Sequence, residues 1–281
     1  MTINLWKVPA VLSPLWRPFR VLGVGAAKTG THSLGTMFAD RVRSAHEADA
    51  QLLIAAILDR WNTGHDRVQT VLAERDFRRR LKIDASQVNI YLLKDFEALF
   101  RGNRFVLTIR SPFEWLRSMI DDSLRRSTSE TWIRFREFRF RQNDGFSRWE
   151  QPLEARGLFP IAGYLNYWRE AIERVVDSVP ECRLLITRVE HLADRSAEIA
   201  AFCGIRGGAV AGDKAHEFAN PERFRVLREI DRRFLLDTAD HVCGDTFRKY
   251  FPGSQLEDGL IDISARDRVP KLAMPPELEA Q

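Results

Sequence analysis

Short, mostly apolar runs alternate along the chain with longer amphipathic stretches, and that order admits few architectures. Arg20–Gly25, Asn89–Leu93, Arg104–Ile109 and Arg183–Ile186 lack the polar alternation of half-exposed strands, so they read as strands buried on both faces. Helical spacing follows at Thr31–Val42, Asp49–Trp61, Phe113–Ser127, Ile161–Ser178, Ser196–Cys203 and Arg223–Cys243. Strands that alternate with crossover helices predict an α/β fold: a parallel sheet flanked by helices on both faces, in a single domain. A chain of 281 residues can bury one substantial core. The expected division is an N-terminal extension over 1–19, the main domain over 20–253, and a partly irregular tail over 254–281 carrying Pro270, Pro275 and Pro276.

Composition narrows the function only a little. A formal charge of +4 favours anionic partners, yet 43 basic against 39 acidic residues is close to balance. Cys182, Cys203 and Cys243 are odd in number, widely spaced and without a C-x-x-C pair, which argues against a disulfide framework or a zinc site. A reducing compartment, the cytoplasm, fits best. No apolar run approaches the roughly 20 residues of a membrane span. Trp6, Val11, Leu12, Leu15 and Trp16 leave peripheral membrane contact open, though packing onto the domain is the simpler role for them.

In open parallel sheets, ligands bind where strands end at their carboxyl side. The first such place is Gly23-Val24-Gly25-Ala26-Ala27-Lys28-Thr29-Gly30-Thr31-His32-Ser33-Leu34, a buried strand running through small residues into a helix. Small residues let backbone N–H groups close around an anion, Lys28 adds a full charge, and Thr29, Thr31 and Ser33 offer hydroxyls. Ala27 stands where a Walker A loop has glycine, and Lys28 where a dinucleotide fingerprint has its third glycine, so neither motif is satisfied. The second place is Arg110-Ser111-Pro112, after the strand Arg104–Ile109. Ser118 lies about two helical turns further on. An arginine fork with a hydroxyl suits a phosphate monoester.

Together these segments resemble the PAPS-dependent sulfotransferase family, which uses 3′-phosphoadenosine-5′-phosphosulfate (PAPS). K-T-G-T-x-S-L is similar to its 5′-phosphosulfate loop, and R-x-P-x-x-W-x-x-S to its 3′-phosphate motif. Tyr164, Trp168, the run Arg183–Leu192 and Phe202-Cys203-Gly204-Ile205 extend the likeness over roughly Val21 to Phe251, nearer to bacterial and glycan-type members than to cytosolic aryl-type ones. Val189 departs from the tyrosine often found beside adenine, and the late R-K-G loop is absent, with Gly212-Asp213-Lys214 in that region. The resemblance implies a P-loop-type fold and cofactor binding by Lys28, Thr29, Gly30, Thr31, His32, Ser33, Arg110 and Ser118. It also implies in-line sulfuryl transfer to a hydroxyl or amine of a carbohydrate, glycolipid or secondary metabolite, with no metal and no nucleic acid partner.

The transfer needs a base for the acceptor proton. Glu47 resembles the glutamate base of glycan-modifying and bacterial glycolipid members. His46 beside it has the more suitable ordinary pKa. On an extended segment the two point opposite ways, so one of them faces the sulfuryl. Asp95, expected just after the third strand, and His32 are the other candidates. Phe96 occupies the position of the histidine base of cytosolic members. Two rival readings stand: a P-loop kinase or nucleotide hydrolase, and a non-catalytic nucleotide-binding protein. The run Trp132–Arg141 interleaves aromatics with arginines. It reads as a helix burying Trp132, Phe135 and Phe138 with the arginines outward, or as a lid for an anionic sugar. Arg125 and Arg126 are further candidates for the 3′-phosphate or for plain surface solvation.

Overall fold

The computed structural model describes residues 19–125, 127–140, 145–205 and 224–265. The N-terminal aromatics, Arg126, Arg141, Gly212-Asp213-Lys214 and the tail prolines lie outside the described residues. Five strands, β1 (Val21–Val24), β2 (Ser44–His46), β3 (Ile83–Ala85), β4 (Arg104–Ile109) and β5 (Leu184–Arg188), form one parallel sheet in the order β2-β3-β1-β4-β5. The helices are α1 (Thr31–Met37), α2 (Ala50–Thr63), α3 (Val68–Arg79), α4 (Leu93–Leu99), α5 (Pro112–Arg125), α6 (Glu130–Phe140), α7 (Gln151–Glu154), α8 (Ile161–Ser178), α9 (Ser196–Phe202), α10 (Arg232–Tyr250) and α11 (Leu256–Ala265).

Alternation along the strands supplies two apolar faces. Leu22 and Val24 of β1 join Phe105 and Leu107 of β4 in the larger core, against α2, α5, α8 and α10. Val21, Ile83, Ala85 and Val106 face the other way, against α1 and α9. The predicted double covering is therefore present. Gly23 sets the closeness of the second layer, because a Cβ there would lie 2.7 Å from the Ala85 Cβ and 2.8 Å from the Leu34 Cδ2.

The third strand differs from expectation. Asn89–Leu93 is not extended: Gln87–Tyr91 form a 3-10 turn, capped by the Ser86 hydroxyl accepting from the Val88 N–H at 3.1 Å, and Leu93 opens α4. The real strand, β3, is concealed in the sequence by the charge of Asp84. That carboxylate is buried because the equally buried Arg75 of α3 donates to both its oxygens, at 2.5 and 2.8 Å. The helix expected over Arg223–Cys243 also divides, into a 3-10 turn at Val226–Glu229 and α10, where Asp231 caps by accepting from the Phe234 N–H at 2.8 Å. The described part of the expected tail is helical as α11.

Burial pushes the thiols of Cys203 and Cys243 up to about 12, whereas Cys182 is exposed. Among the described residues no helix is long and apolar enough to cross a membrane.

Removing one member of a buried ion pair leaves an uncompensated charge, at a cost of about 3–5 kcal/mol. Asp84→Ala is expected to lower stability by about that amount in urea titrations. The double variant Arg75→Met/Asp84→Leu is expected to recover most of it.

Candidate functional site at the carboxyl ends of the strands

The connection leaving β1 runs toward β2, while that leaving β4 runs toward β5, so a crevice opens at the carboxyl ends of these adjacent strands. The loop after β1 enters it. Gly25 has φ +144°, and a Cβ there would come within 2.4 Å of the Thr108 carbonyl. Thr29, expected among the anion ligands, has its hydroxyl engaged within the fold: it donates to the Ala26 carbonyl at 2.7 Å and meets the Thr108 hydroxyl at 3.1 Å. Both backbone groups of Ala27 are held, its N–H by the Tyr167 hydroxyl at 3.1 Å and its carbonyl by the Trp115 indole N–H at 2.6 Å.

Lys28 then turns left-handed, φ +65°, and its half-buried ammonium reaches the Asp122 carboxylate at 3.2 Å. Asp122 also accepts from Arg125 at 3.1 Å. Gly30, φ +105°, leads into α1. A side chain there would strike Val189 and Leu192, at 2.9 and 2.8 Å, so the segment after β5 packs directly on the loop. Thr31 and Ser33 are buried at the start of α1, and His32 is half-buried.

The edge strand β2 brings in the second group. Its partner α1 lies so close that a Cβ on Gly35 would fall 2.9 Å from the His46 Cβ. His46 Nε2 lies 3.2 Å from the Thr31 hydroxyl, and the His32 and His46 rings are 4.9 Å apart. Glu47 breaks the expected alternation. Its φ is +52°, not extended, and its Oε1 lies 3.9 Å from His46 Nε2, so both neighbours serve one region. The non-glycine left-handed turn is held from several sides. The Glu47 N–H donates to the Ala85 carbonyl at 2.9 Å, Arg75 Nε to the Ala48 carbonyl at 2.8 Å, and Arg79 grips both oxygens of Asp49, itself at φ +55°. The Glu47 carboxylate accepts from the Gln87 amide at 2.5 Å.

At the end of β4, Arg110 approaches Glu114 at 3.5 Å, and its carbonyl accepts from the Trp168 indole at 2.9 Å. Ser118 stands half-buried on α5, one turn before Asp122. Asp95 is not at a strand end. It lies in the first turn of α4, buried, in a pair with Arg60 at 2.9 Å, where it anchors α2 to α4; this removes it from the candidate bases. Trp132 and Phe138 are half-buried and Phe135 fully buried, as a core-facing helix requires, but Arg139 is turned inward, 3% exposed, against the expectation that the arginines face out.

The sequence reading missed Asp122, Gln87 and Tyr167, and placed Arg139 on the outer face of its helix. Only Asp122, four residues after Ser118, carried a signal, since that spacing puts both on one helix face. Among the described residues no group of three His, Cys, Asp or Glu is arranged to hold a metal ion.

Arg79 hydrogen-bonds Asp49 and holds its carboxyl below the ordinary 3.8. A depressed carboxyl stabilises the fold above that value and loses its contribution as pH falls through the folded-state pKa. Relative to wild type, Arg79→Gln is expected to show a stability deficit that is constant from about pH 5 to 7 and shrinks only below pH 3.8, read by urea titration at each pH.

Comparison with known proteins returns a sulfotransferase domain family matching residues 20–192. No curated protein matches in sequence. Among solved structures, a sulfotransferase from Alicyclobacillus acidocaldarius is similar at 13% identity and a TM-score of 0.46, covering 80% of this chain and 96% of its own. The sulfotransferase domain of the Synechococcus PCC 7002 olefin synthase has 13% identity and a TM-score of 0.40, covering 88% and 93%. The sulfotransferase domain from the curacin biosynthetic pathway has 13% identity and a TM-score of 0.38, covering 88% and 96%. With all five strands of the sheet, the Lys28 loop and the Arg110 strand end inside the matched segment, this chain belongs to the sulfotransferase domain family.

Proposed function

We propose that the protein is a PAPS-dependent sulfotransferase acting in the cytoplasm on an acceptor hydroxyl or amine of a carbohydrate, glycolipid or secondary metabolite. One observation carries the reading: Lys28, the His46–Glu47 pair and Arg110 all lie at or just after the carboxyl ends of strands in one sheet, those of β1, β2 and β4. Two cations flank the switch point and a carboxylate with an imidazole lies to one side, the division of labour that anionic group transfer needs.

The donor set suits PAPS on chemical grounds. Gly25 and Gly30 adopt conformations that a side chain would obstruct, and Lys28 provides a point charge beside them. Lys28 with Thr31, His32 and Ser33 would hold the 5′-phosphosulfate, and Arg110 with Ser118 the 3′-phosphate. PAPS supplies the sulfuryl group and a bisphosphate leaving group. The charge of Lys28 then counts most where negative charge grows on the departing side. Glu47 takes the acceptor proton on the opposite side, in line with the bond being broken. His46, between the Thr31 hydroxyl and Glu47, orients that carboxylate and remains the alternative base.

Calorimetry with 3′-phosphoadenosine-5′-phosphate, against adenosine-5′-monophosphate and magnesium ATP, tests the cofactor. Binding that requires the 3′-phosphate is expected, and a preference for the triphosphate would favour a kinase or hydrolase. Arg110→Ala is expected to weaken cofactor binding about tenfold or more, losing a charge-assisted contact. Lys28→Ala is expected to lower turnover about 10²–10³-fold. Wild-type behaviour of both variants would overturn the site.

A further inference from the structure

Arg139 is a guanidinium 3% exposed on the inner face of α6, in contact with aromatic rings, a carbonyl, a hydroxyl and an amide. Its carbon lies 4.5, 4.8 and 5.1 Å from the ring centroids of Phe135, Phe140 and Tyr167. Its nitrogens donate to the Phe135 carbonyl at 3.3 Å, to the Tyr167 hydroxyl at 3.4 Å and, closely, to the Gln87 amide oxygen. A buried cation is costly unless an opposite charge is within reach, and Gln87 connects this one to a carboxylate. The far end of the same amide donates to Glu47 Oε1 at 2.5 Å.

We infer that Gln87 and Arg139 are positioning residues for the catalytic base, forming a relay Arg139–Gln87–Glu47 that holds the carboxylate in place; the inference rests on Glu47 being that base. The chemistry of the two ends fixes the amide. Guanidinium only donates and an ionised carboxylate only accepts, so Gln87 must present oxygen to Arg139 and nitrogen to Glu47. Its dipole is then aligned with the charges at both ends, and such chains reinforce one another in a low dielectric. Glu47 Oε1 is held by the amide and lies 3.9 Å from His46 Nε2, so the relay fixes the carboxylate beside the imidazole. Tyr167 extends the relay to the cofactor loop, because the hydroxyl that accepts from Arg139 also accepts from the Ala27 N–H. One buried cation thereby fixes the candidate base relative to the residue next to Lys28.

The test compares Gln87→Met, Arg139→Lys, Glu47→Gln and Gln87→Met/Glu47→Gln. Release of 3′-phosphoadenosine-5′-phosphate from PAPS is measured with whichever alcohol, glycan or lipid acceptor from a panel gives the highest wild-type turnover. Gln87 is only half-buried, and Met keeps its length, so the fold tolerates the change; calorimetric affinity for the bisphosphate verifies that. Gln87→Met is expected to lower kcat about ten- to hundredfold with the KM for PAPS within about twofold, the signature of a misplaced group and not of a damaged cofactor site. It is expected to add nothing once Glu47→Gln is present, and Arg139→Lys, which keeps a donor for the amide, is expected to retain most of kcat. Wild-type kcat in Gln87→Met beside a crippled Glu47→Gln would overturn the relay and leave the base intact. Additive losses in the double variant would also overturn it. Wild-type kcat in Glu47→Gln would overturn the base itself, and the relay with it.

Discussion

Arg75 donates to both oxygens of Asp84 and to the Ala48 carbonyl, so a single buried side chain ties the middle of β3 to the turn that leaves β2. Much of the site's geometry depends on that tie. A three-residue edge strand has little pairing of its own, and a glutamate with positive φ after it is unfavourable without outside support. Arg75, the Asp49–Arg79 pair and the Glu47–Ala85 backbone bond supply the support together. Because the turn is left-handed, the imidazole of His46 and the carboxylate of Glu47 face common ground, where an extended chain would separate them.

The sheet order does the rest of the assembly. β1 sits in the centre with β3 on one side and β4 on the other, and the Thr29–Thr108 contact joins the loop that leaves β1 to β4 itself. The loop that carries Lys28 is therefore braced by the strand that ends in Arg110. On the opposite flank, Gly35 lets α1 lie against β2, which brings Thr31 within reach of His46. Two close approaches that a side chain would obstruct, Gly25 on the Thr108 carbonyl and Gly35 on His46, set how the two groups of candidate residues meet.

Much of this was legible in the sequence, for reasons that differ by element. β1, β4, α2, α5 and α8 announce themselves because their burial is nearly all apolar, and periodicity reads burial, whereas the edge strand β5 is apolar but only half-buried apart from Thr187. The loop after β1 and the Arg110 strand end stood out because small residues and cations at strand ends have a local logic. β3 was missed because its middle residue is charged, and its neutralising partner lies on a helix nine positions earlier. The buried apolar run Asn89–Leu93 offered a convincing false strand. Periodicity cannot tell a short buried strand from a buried turn, and Ser86, the residue that nucleates the turn, is ordinary in sequence. Asp95 looked catalytic from the same false strand. Arg139 looked solvated because the aromatics around it were read as a stripe, when three rings and an amide in fact enclose it. Glu47 and Gln87 are 40 positions apart, and no local pattern joins them.

The anchoring of Ala27 has a thermodynamic consequence. Its N–H is fixed to α8 through Tyr167 and its carbonyl to α5 through Trp115, and both side chains are buried aromatics. The residue in front of Lys28 is thus clamped between two helices of the main core, not merely suspended from a strand. A loop so held has already surrendered its conformational entropy during folding, and a ligand bound there would not meet that ordering cost again. The same clamp couples binding to folding: any ligand gripped by Lys28 pulls on a peptide unit wired into the core, so its binding energy is felt by α5 and α8 as added resistance to unfolding.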